Sequence, residues 1–491
     1  MITITKNLCL SVAMLVASAQ QAVAQTRESI EALRTETTRN LKENILPFWM
    51  DKVVDPAGGF YGMVLNDGTP IPDADKGAVL NARILWTFSQ AYRLYALEPY
   101  RQMADRAADY YVSHFVDPIY GGVFWSLNSD GYFKNTVKQT YAAAFGIYGL
   151  SEHFRATGCQ RSLQTAIAIY QTLEERVHDK AGLGYIESFQ RDYTRSQVKG
   201  VDGQMDASKT MNTHIHVLEA YTTLYQVWPN EALKANLREL LQILNTRLYS
   251  PKRNHLILYC DDDWTPTGGE VDSYGHDIET AWLMCEAVAV VGDLELEAKV
   301  KTQALKMTET ALKEGLNEKG VMRYEKVDGE YSKRLAWWPQ CETVIGAINA
   351  WQLTGNKAFF EAAQRNWEYV KAHFVDETHG GWYKGLTEDG SPAREPKVSE
   401  WNCPYHNSRM AFELAKRLEP AHVHTEVPFF FRHISLEESI LAIHSPRLMF
   451  CWATSLRMAS SRGRSGGLMH STWAKPALRS SSRSLILPAI R

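Results

Sequence analysis

The chain has 491 residues, of which 45% are hydrophobic and 22% charged, and its formal net charge is −3. That length allows one large domain or two to three average ones, with the composition of an ordinary globular enzyme. The near balance of charge excludes a bulk electrostatic pull toward nucleic acid or an anionic membrane, so no nucleic-acid partner is expected. The 14 Trp and 23 Tyr fit either a large helical core or surfaces that stack sugars.

Residues 1–24 read as an export signal. Lys6 supplies the charged flank, Leu8 to Ala19 the apolar stretch, and Ala22-Val23-Ala24 a small-x-small cleavage site. The mature chain then begins near Gln25, with a periplasmic or secreted destination. No later apolar run is long enough to span a bilayer, so the mature protein is expected to lack a membrane span.

From there a turn motif recurs down the chain. Its copies are Asp55-Pro-Ala-Gly-Gly-Phe-Tyr61, Asp117-Pro-Ile-Tyr-Gly-Gly-Val-Phe-Trp125 and Asp179-Lys-Ala-Gly-Leu-Gly-Tyr185. A degenerate copy starts at Ser250, followed by Asn317-Glu-Lys-Gly-Val-Met-Arg-Tyr324 and Asp376-Glu-Thr-His-Gly-Gly-Trp-Tyr383. Each joins a polar turn residue and glycines to a short aromatic strand-like stretch. The starts are 62, 62, 71, 67 and 59 residues apart. Between them lie long helix-patterned segments, such as Ala82 to Tyr92 and Gln164 to Val177. Such a unit holds two helices plus loops. Six units predict an all-α fold, an (α/α)6 barrel of six helical hairpins over residues 25–420. An open helical superhelix is the alternative.

If the ring closes, residues at one phase of the repeat meet at one end of it. Arg83, Tyr141, His216, His276, Trp338 and His406 share that phase. Each also has a plainer reading. Arg83 could be a snorkelling surface residue. His214 and His216 point to different faces, so only one can enter a shared site. His216 is in step with Asn212 and Glu219 but could be a core histidine. Trp337-Trp338 with Glu342 could be a sugar platform with a hydroxyl acceptor, or core. His276 and His406 stand out because turn-forming and polar residues flank each at a helix entry. In Ser273-Tyr-Gly-His-Asp-Ile-Glu279, His276 precedes Glu279 by three residues, which puts both on one helical face. The carboxylate is expected to orient the imidazole as a general base.

After Glu438 no acidic residue appears, while Arg447, Arg457, Arg462, Arg464, Lys475, Arg479, Arg483 and Arg491 bring eight positive charges amid dense serine. Residues 421–491 are therefore expected to be a disordered basic tail or an out-of-frame extension. The seven cysteines, at 9, 159, 260, 285, 341, 403 and 451, form no cluster and are expected to be unpaired buried thiols. No HExxH or zinc spacing occurs, so no metal is expected.

Five stretches carry a resemblance. They are Asp75-Lys-Gly77 through Trp86, Lys209 through His216, Ser273 to Glu279 with Trp282-Leu-Met284, Trp337-Trp-Pro-Gln340 with Glu342, and Cys403-Pro-Tyr-His-Asn407 with Arg409-Met410. Over about residues 28–417 the chain resembles the cellobiose 2-epimerase group of the N-acylglucosamine 2-epimerase superfamily. The resemblance implies an (α/α)6 barrel and C2 epimerisation of the reducing-end sugar of β-1,4-linked disaccharides, without a cofactor. It implies His276 and His406 as acid/base pair, Glu279 as helper of His276, and Arg83 and His216 as stabilisers of the oxygen at C1. Asn212, Tyr141, Trp282, Trp338, Glu342 and Trp401 would bind the sugar. Gln139 departs from the pattern, since some members are expected to carry histidine there, and the tail has no counterpart beyond Leu418. A monomer acting on a disaccharide is expected. The alternatives are an aldose–ketose isomerase, an N-acylglucosamine 2-epimerase, a glycoside hydrolase or lyase using Glu279 and Glu342, and a non-catalytic sugar-binding protein.

Overall fold

A computed structural model describes residues 27–195 and 207–420. The expected export signal and basic tail lie outside the described residues. The described residues belong to one compact unit.

Among the described residues, twelve helices alternate between two environments. The inner ones are α2 (Ala78–Tyr95), α4 (Thr140–Thr157), α6 (Met211–Val227), α8 (Tyr274–Val291), α10 (Trp337–Thr354) and α12 (Tyr405–Arg417). The outer ones are α1 (27–52), α3 (98–115), α5 (Gln160–Arg176), α7 (Glu231–Thr246), α9 (Leu294–Gly315) and α11 (Lys357–His373). Both α1 and α3 include a π-type turn, at Leu41–Ile45 and Tyr111–Phe115. Sequence pattern separates the two sets. Helix α7 buries one stripe of Leu233, Leu237, Leu240, Leu241 and Leu244, whereas α8 is buried almost all round. Four inner helices end on a left-handed residue, Ala96, Gly158, Gly292 or Gly355, which turns the chain sharply into the outer partner.

Each inner helix packs on the next, and α12 packs back on α2, so the ring is closed and the open superhelix is excluded. All six turn copies form a small β-hairpin, closed by Val54–Phe60, Val116–Val123, His178–Tyr185, Tyr249–Leu256, Leu316–Met322 and Val375–Trp382. The degenerate fourth copy thus has the same conformation as the others. The two residues before each of α2, α4, α6 and α10, and Val271-Asp272 one residue ahead of α8, pair with the following repeat, and Val398 pairs with Val64 to complete the circle.

Ion pairs fasten this belt, the Lys–Asp ones buried except at the half-buried Asp179. Lys76–Asp55 (2.6 Å), Lys138–Asp117 (2.9 Å), Lys209–Asp179 (2.8 Å) and Lys397–Asp376 (2.5 Å) each tie a turn aspartate to the loop entering the next inner helix. The fourth repeat reverses the polarity: the turn supplies Arg253 and the helix entry Asp272. His255 beside it holds Asp277 at 2.7 Å and Glu314 at 3.4 Å. His255, Asp272 and Glu314 could face an ion, but Arg253 already pairs with Asp272. Cys159, Cys260, Cys285, Cys341 and Cys403 are free thiols, as expected, and all but Cys159 are buried. Among the described residues no helix is long and apolar enough to cross a membrane.

Candidate active site

Arg83, Tyr141, His216, His276, Trp338 and His406 come one from each inner helix, and each lies within the first two turns. The shared phase of the repeat therefore becomes one place at the N-terminal end of the inner ring. Trp338 joins the two leading histidines: its ring centroid is 4.5 Å from that of His276 and 5.6 Å from that of His406. Gly275 makes room for this, since a Cβ there would stand 2.6 Å from the Trp338 ring. Tyr141 lies 5.0 Å from His216 and 5.8 Å from Trp401, so those three rings form a second wall.

Arg83 is buried, not snorkelling. It donates to the Tyr141 hydroxyl at 2.8 Å and lies over the rings of Phe145 and Tyr405. Its Nε and the Oδ1 of Asn212 are buried polar atoms without a protein partner, which suits groups that wait for a ligand. The His214/His216 choice resolves as spacing requires. His214 is structural, held between the Thr210 carbonyl (2.6 Å) and the Tyr185 amide (3.0 Å). His216 faces the site, its Nδ1 3.0 Å from Glu219.

Three expectations need correction. Glu279 does not assist His276. The Nδ1 of His276 meets Ser273 Oγ at 2.7 Å, and Glu279 accepts from Arg409 at 2.5 Å. Glu342 holds protein groups in place of a sugar hydroxyl: His406 Nδ1 at 2.7 Å, Arg409 at 2.7 Å and Trp282 Nε1 at 2.9 Å. Trp282 is only 1% exposed and lies behind Glu342, so it props the site and offers no sugar platform.

Sequence reasoning gave no role to Arg409, at the centre of the buried array. It binds Glu219, Glu279 and Glu342, and the Tyr405 hydroxyl also donates to Glu219. The signal available was Arg409 itself, an arginine three residues beyond His406 on the same inner helix. The guanidinium also answers whether Glu279, Glu342 and His406 hold a metal: a cation already occupies that focus.

Burial sets the charges. His276 is brought down to about 3, with His216 nearby adding to the effect. His406 is held well below its ordinary value by burial, then by Arg409 and Arg83. Both imidazoles are neutral near pH 7. Burial and Glu342 push Glu279 up to about 7. Burial opposes ionisation of Glu219 too, but Arg409 and His216 outweigh it and bring it to about 2.

The sequence profile of the N-acylglucosamine 2-epimerase (GlcNAc 2-epimerase) family matches residues 59–408. The cellobiose 2-epimerase of Bacteroides fragilis is 42% identical over 393 residues, covering 78% of this chain and 99% of that protein. That of Ruminococcus albus is 35% identical over 386 residues, covering 78% and 98%. The solved cellobiose 2-epimerase of Bacillus thermoamylovorans B4167 superposes with a TM-score of 0.76 at 34% identity, over 79% of this chain and all of that one. A D-mannose isomerase structure shares the fold at 21% identity and a TM-score of 0.67. With an inner-ring site matching the stretches that carry the resemblance, the chain belongs to the N-acylglucosamine 2-epimerase family and is an isomerase with cellobiose 2-epimerases among its relatives.

Proposed function

We propose that the protein epimerises C2 of the reducing-end sugar in β-1,4-linked disaccharides such as cellobiose or mannobiose. The observation that carries the reading is the meeting of two neutral imidazoles, His276 and His406, against one indole. A C2 proton is not acidic in the closed ring. Ring opening places it beside an aldehyde, where a neutral imidazole can remove it. His406 is suited to be one base, because Glu342 at its Nδ1 steadies the imidazolium that forms. The enediolate then carries charge on the C1 oxygen. Arg83 would stabilise it, a donor contributing roughly 3–4 kcal/mol in a sheltered site, and His216, whose Nδ1–H is engaged by Glu219, would join it only once it carries a proton on Nε2. The N-termini of six inner helices favour an anion at the same place. That anion also raises the basicity of the imidazole on its other side, which draws a proton from water and delivers it to C2 after rotation about C2–C3, while the imidazole that took the first proton gives it up to water. Tyr141, Asn212, Trp338 and Trp401 would hold the sugars.

The test is incubation with cellobiose and mannobiose in D2O, followed by NMR. Deuterium at C2 of the epimer is expected. Return of the proton to C1, giving a ketose, would make the protein an aldose–ketose isomerase, and release of monosaccharide would make it a hydrolase. If residues 1–24 act as an export signal, the reaction would run in the periplasm or outside the cell. A secreted form beginning near Gln25, and a monomer by sedimentation, are the expected observations.

A further inference from the structure

We infer that Arg409 is a positioning residue that joins His216 and His406 into one coupled acid–base unit, through the carboxylates of Glu219 and Glu342. The inference rests on the epimerase reading. Each imidazole presents Nδ1 to its own carboxylate, His216 to Glu219 at 3.0 Å and His406 to Glu342 at 2.7 Å. Arg409 bridges those two carboxylates, Nη1 to Glu219 at 2.5 Å and Nη2 to Glu342 at 2.7 Å, while the same Nη2 reaches Glu279 at 2.5 Å. The guanidinium is 1% exposed and lies over the rings of Tyr405 (4.1 Å) and Trp282 (4.8 Å), so its plane is fixed. Only a planar fork can serve carboxylates on three helices; an ammonium is a point charge.

The charge balance gives the array a purpose. Three carboxylates face one guanidinium in a buried space, so full ionisation of all three is opposed. Burial pushes up both Glu279, to about 7 with Glu342 adding to it, and Glu342 itself, and of the two Glu279 holds no imidazole and is the carboxylate that can take up a proton without releasing an imidazole. One carboxylate then remains for each imidazole. With Nδ1–H held on both rings, both Nε2 lone pairs are free for the substrate, and a charge gained by one ring is felt by the other through the shared fork.

The test uses the full chain with 15N-labelled histidine, without substrate, together with kinetics on cellobiose. In the wild type, His216 and His406 should both be Nδ1–H tautomers at pH 7. Arg409→Lys should mix the tautomers of both rings, although Arg409 makes no hydrogen bond to either, and lower kcat about 10–100-fold with KM little changed. Native tautomers at both rings, or a change confined to one, would overturn the inference, as would wild-type kcat. If Arg409→Lys does not fold, Tyr405→Phe removes the hydroxyl shared by Glu219 and Arg409 without altering charge. It should disturb His216 and carry a smaller change to His406, and an unaffected His406 would overturn the coupling. A wild type inert toward disaccharides would remove the functional reading, while the tautomers would still decide whether the array is coupled.

Discussion

Replacing Glu342 with glutamine tests how far the site depends on its buried carboxylates. Glu342 is 0% exposed and accepts three hydrogen bonds, from His406 and Arg409 on Oε1 and from Trp282 on Oε2. An amide keeps the shape but supplies only one acceptor atom. If its oxygen takes the Oε1 position, His406 and Arg409 stay engaged and the NH2 confronts the Trp282 N–H. One buried donor is then unsatisfied, at a cost of about 1–3 kcal/mol. The reverse orientation exposes two donors to the NH2 and is worse, so the first should dominate. His406 then keeps its tautomer but loses the negative charge that steadies its imidazolium. An outer-shell loss of this kind lowers turnover about 10–100-fold, against about 10⁴-fold where a wrong tautomer results. Removing a charge from a crowded trio of carboxylates also relieves Glu279, whose carboxyl should fall back from about 7. Global stability should therefore change less than a buried ion-pair loss would suggest. Initial rates of mannose-anomer formation from cellobiose, followed by NMR, give kcat and KM, and thermal melts give stability. A variant with kcat within about twofold of wild type would refute the claim that Glu342 steadies charge on His406.

Gly275→Ala would drive a methyl into the Trp338 ring, 2.6 Å away. A stability loss of about 1–3 kcal/mol and a raised KM are expected, read by urea titration and initial rates. Lys397→Met would strand the buried carboxylate of Asp376 where the last repeat meets the first, at about 3–5 kcal/mol, read by urea titration. His276 titrates near 3 in the folded chain and at 6.5 when unperturbed. Its stabilising contribution is thus complete above pH 6.5 and fades as pH falls from 6.5 toward 3, by at most about 1.4 kcal/mol per pH unit. His276→Asn should flatten that part of the stability–pH curve, and an unchanged slope would count against a neutral buried imidazole.

The fold was legible because the turns repeat: a proline- or glycine-bearing hairpin every sixty to seventy residues recurs whatever the helices between carry. The phase argument followed from that, and it brought together one residue from each inner helix. Pairings across the ring were not legible. The same i,i+3 rule succeeds for His216 with Glu219 and fails for His276 with Glu279, and the reason is competition. His276 is the third residue of α8, where Ser273 just before the helix offers a hydroxyl three residues back. Glu279 sits one turn deeper, where Arg409, 130 residues away in sequence, offers a charge-assisted bond that a neutral imidazole cannot match. His216 lies in the second turn of α6, beyond reach of a capping side chain, and Glu219 has a second oxygen to spare for Arg409. Spacing on one helix decides which side chains share a face. Which of them bond is decided by the strongest partner that closure of the ring delivers, and here a single arginine outbid the local histidine at Glu279 while sharing Glu219 and Glu342 with theirs.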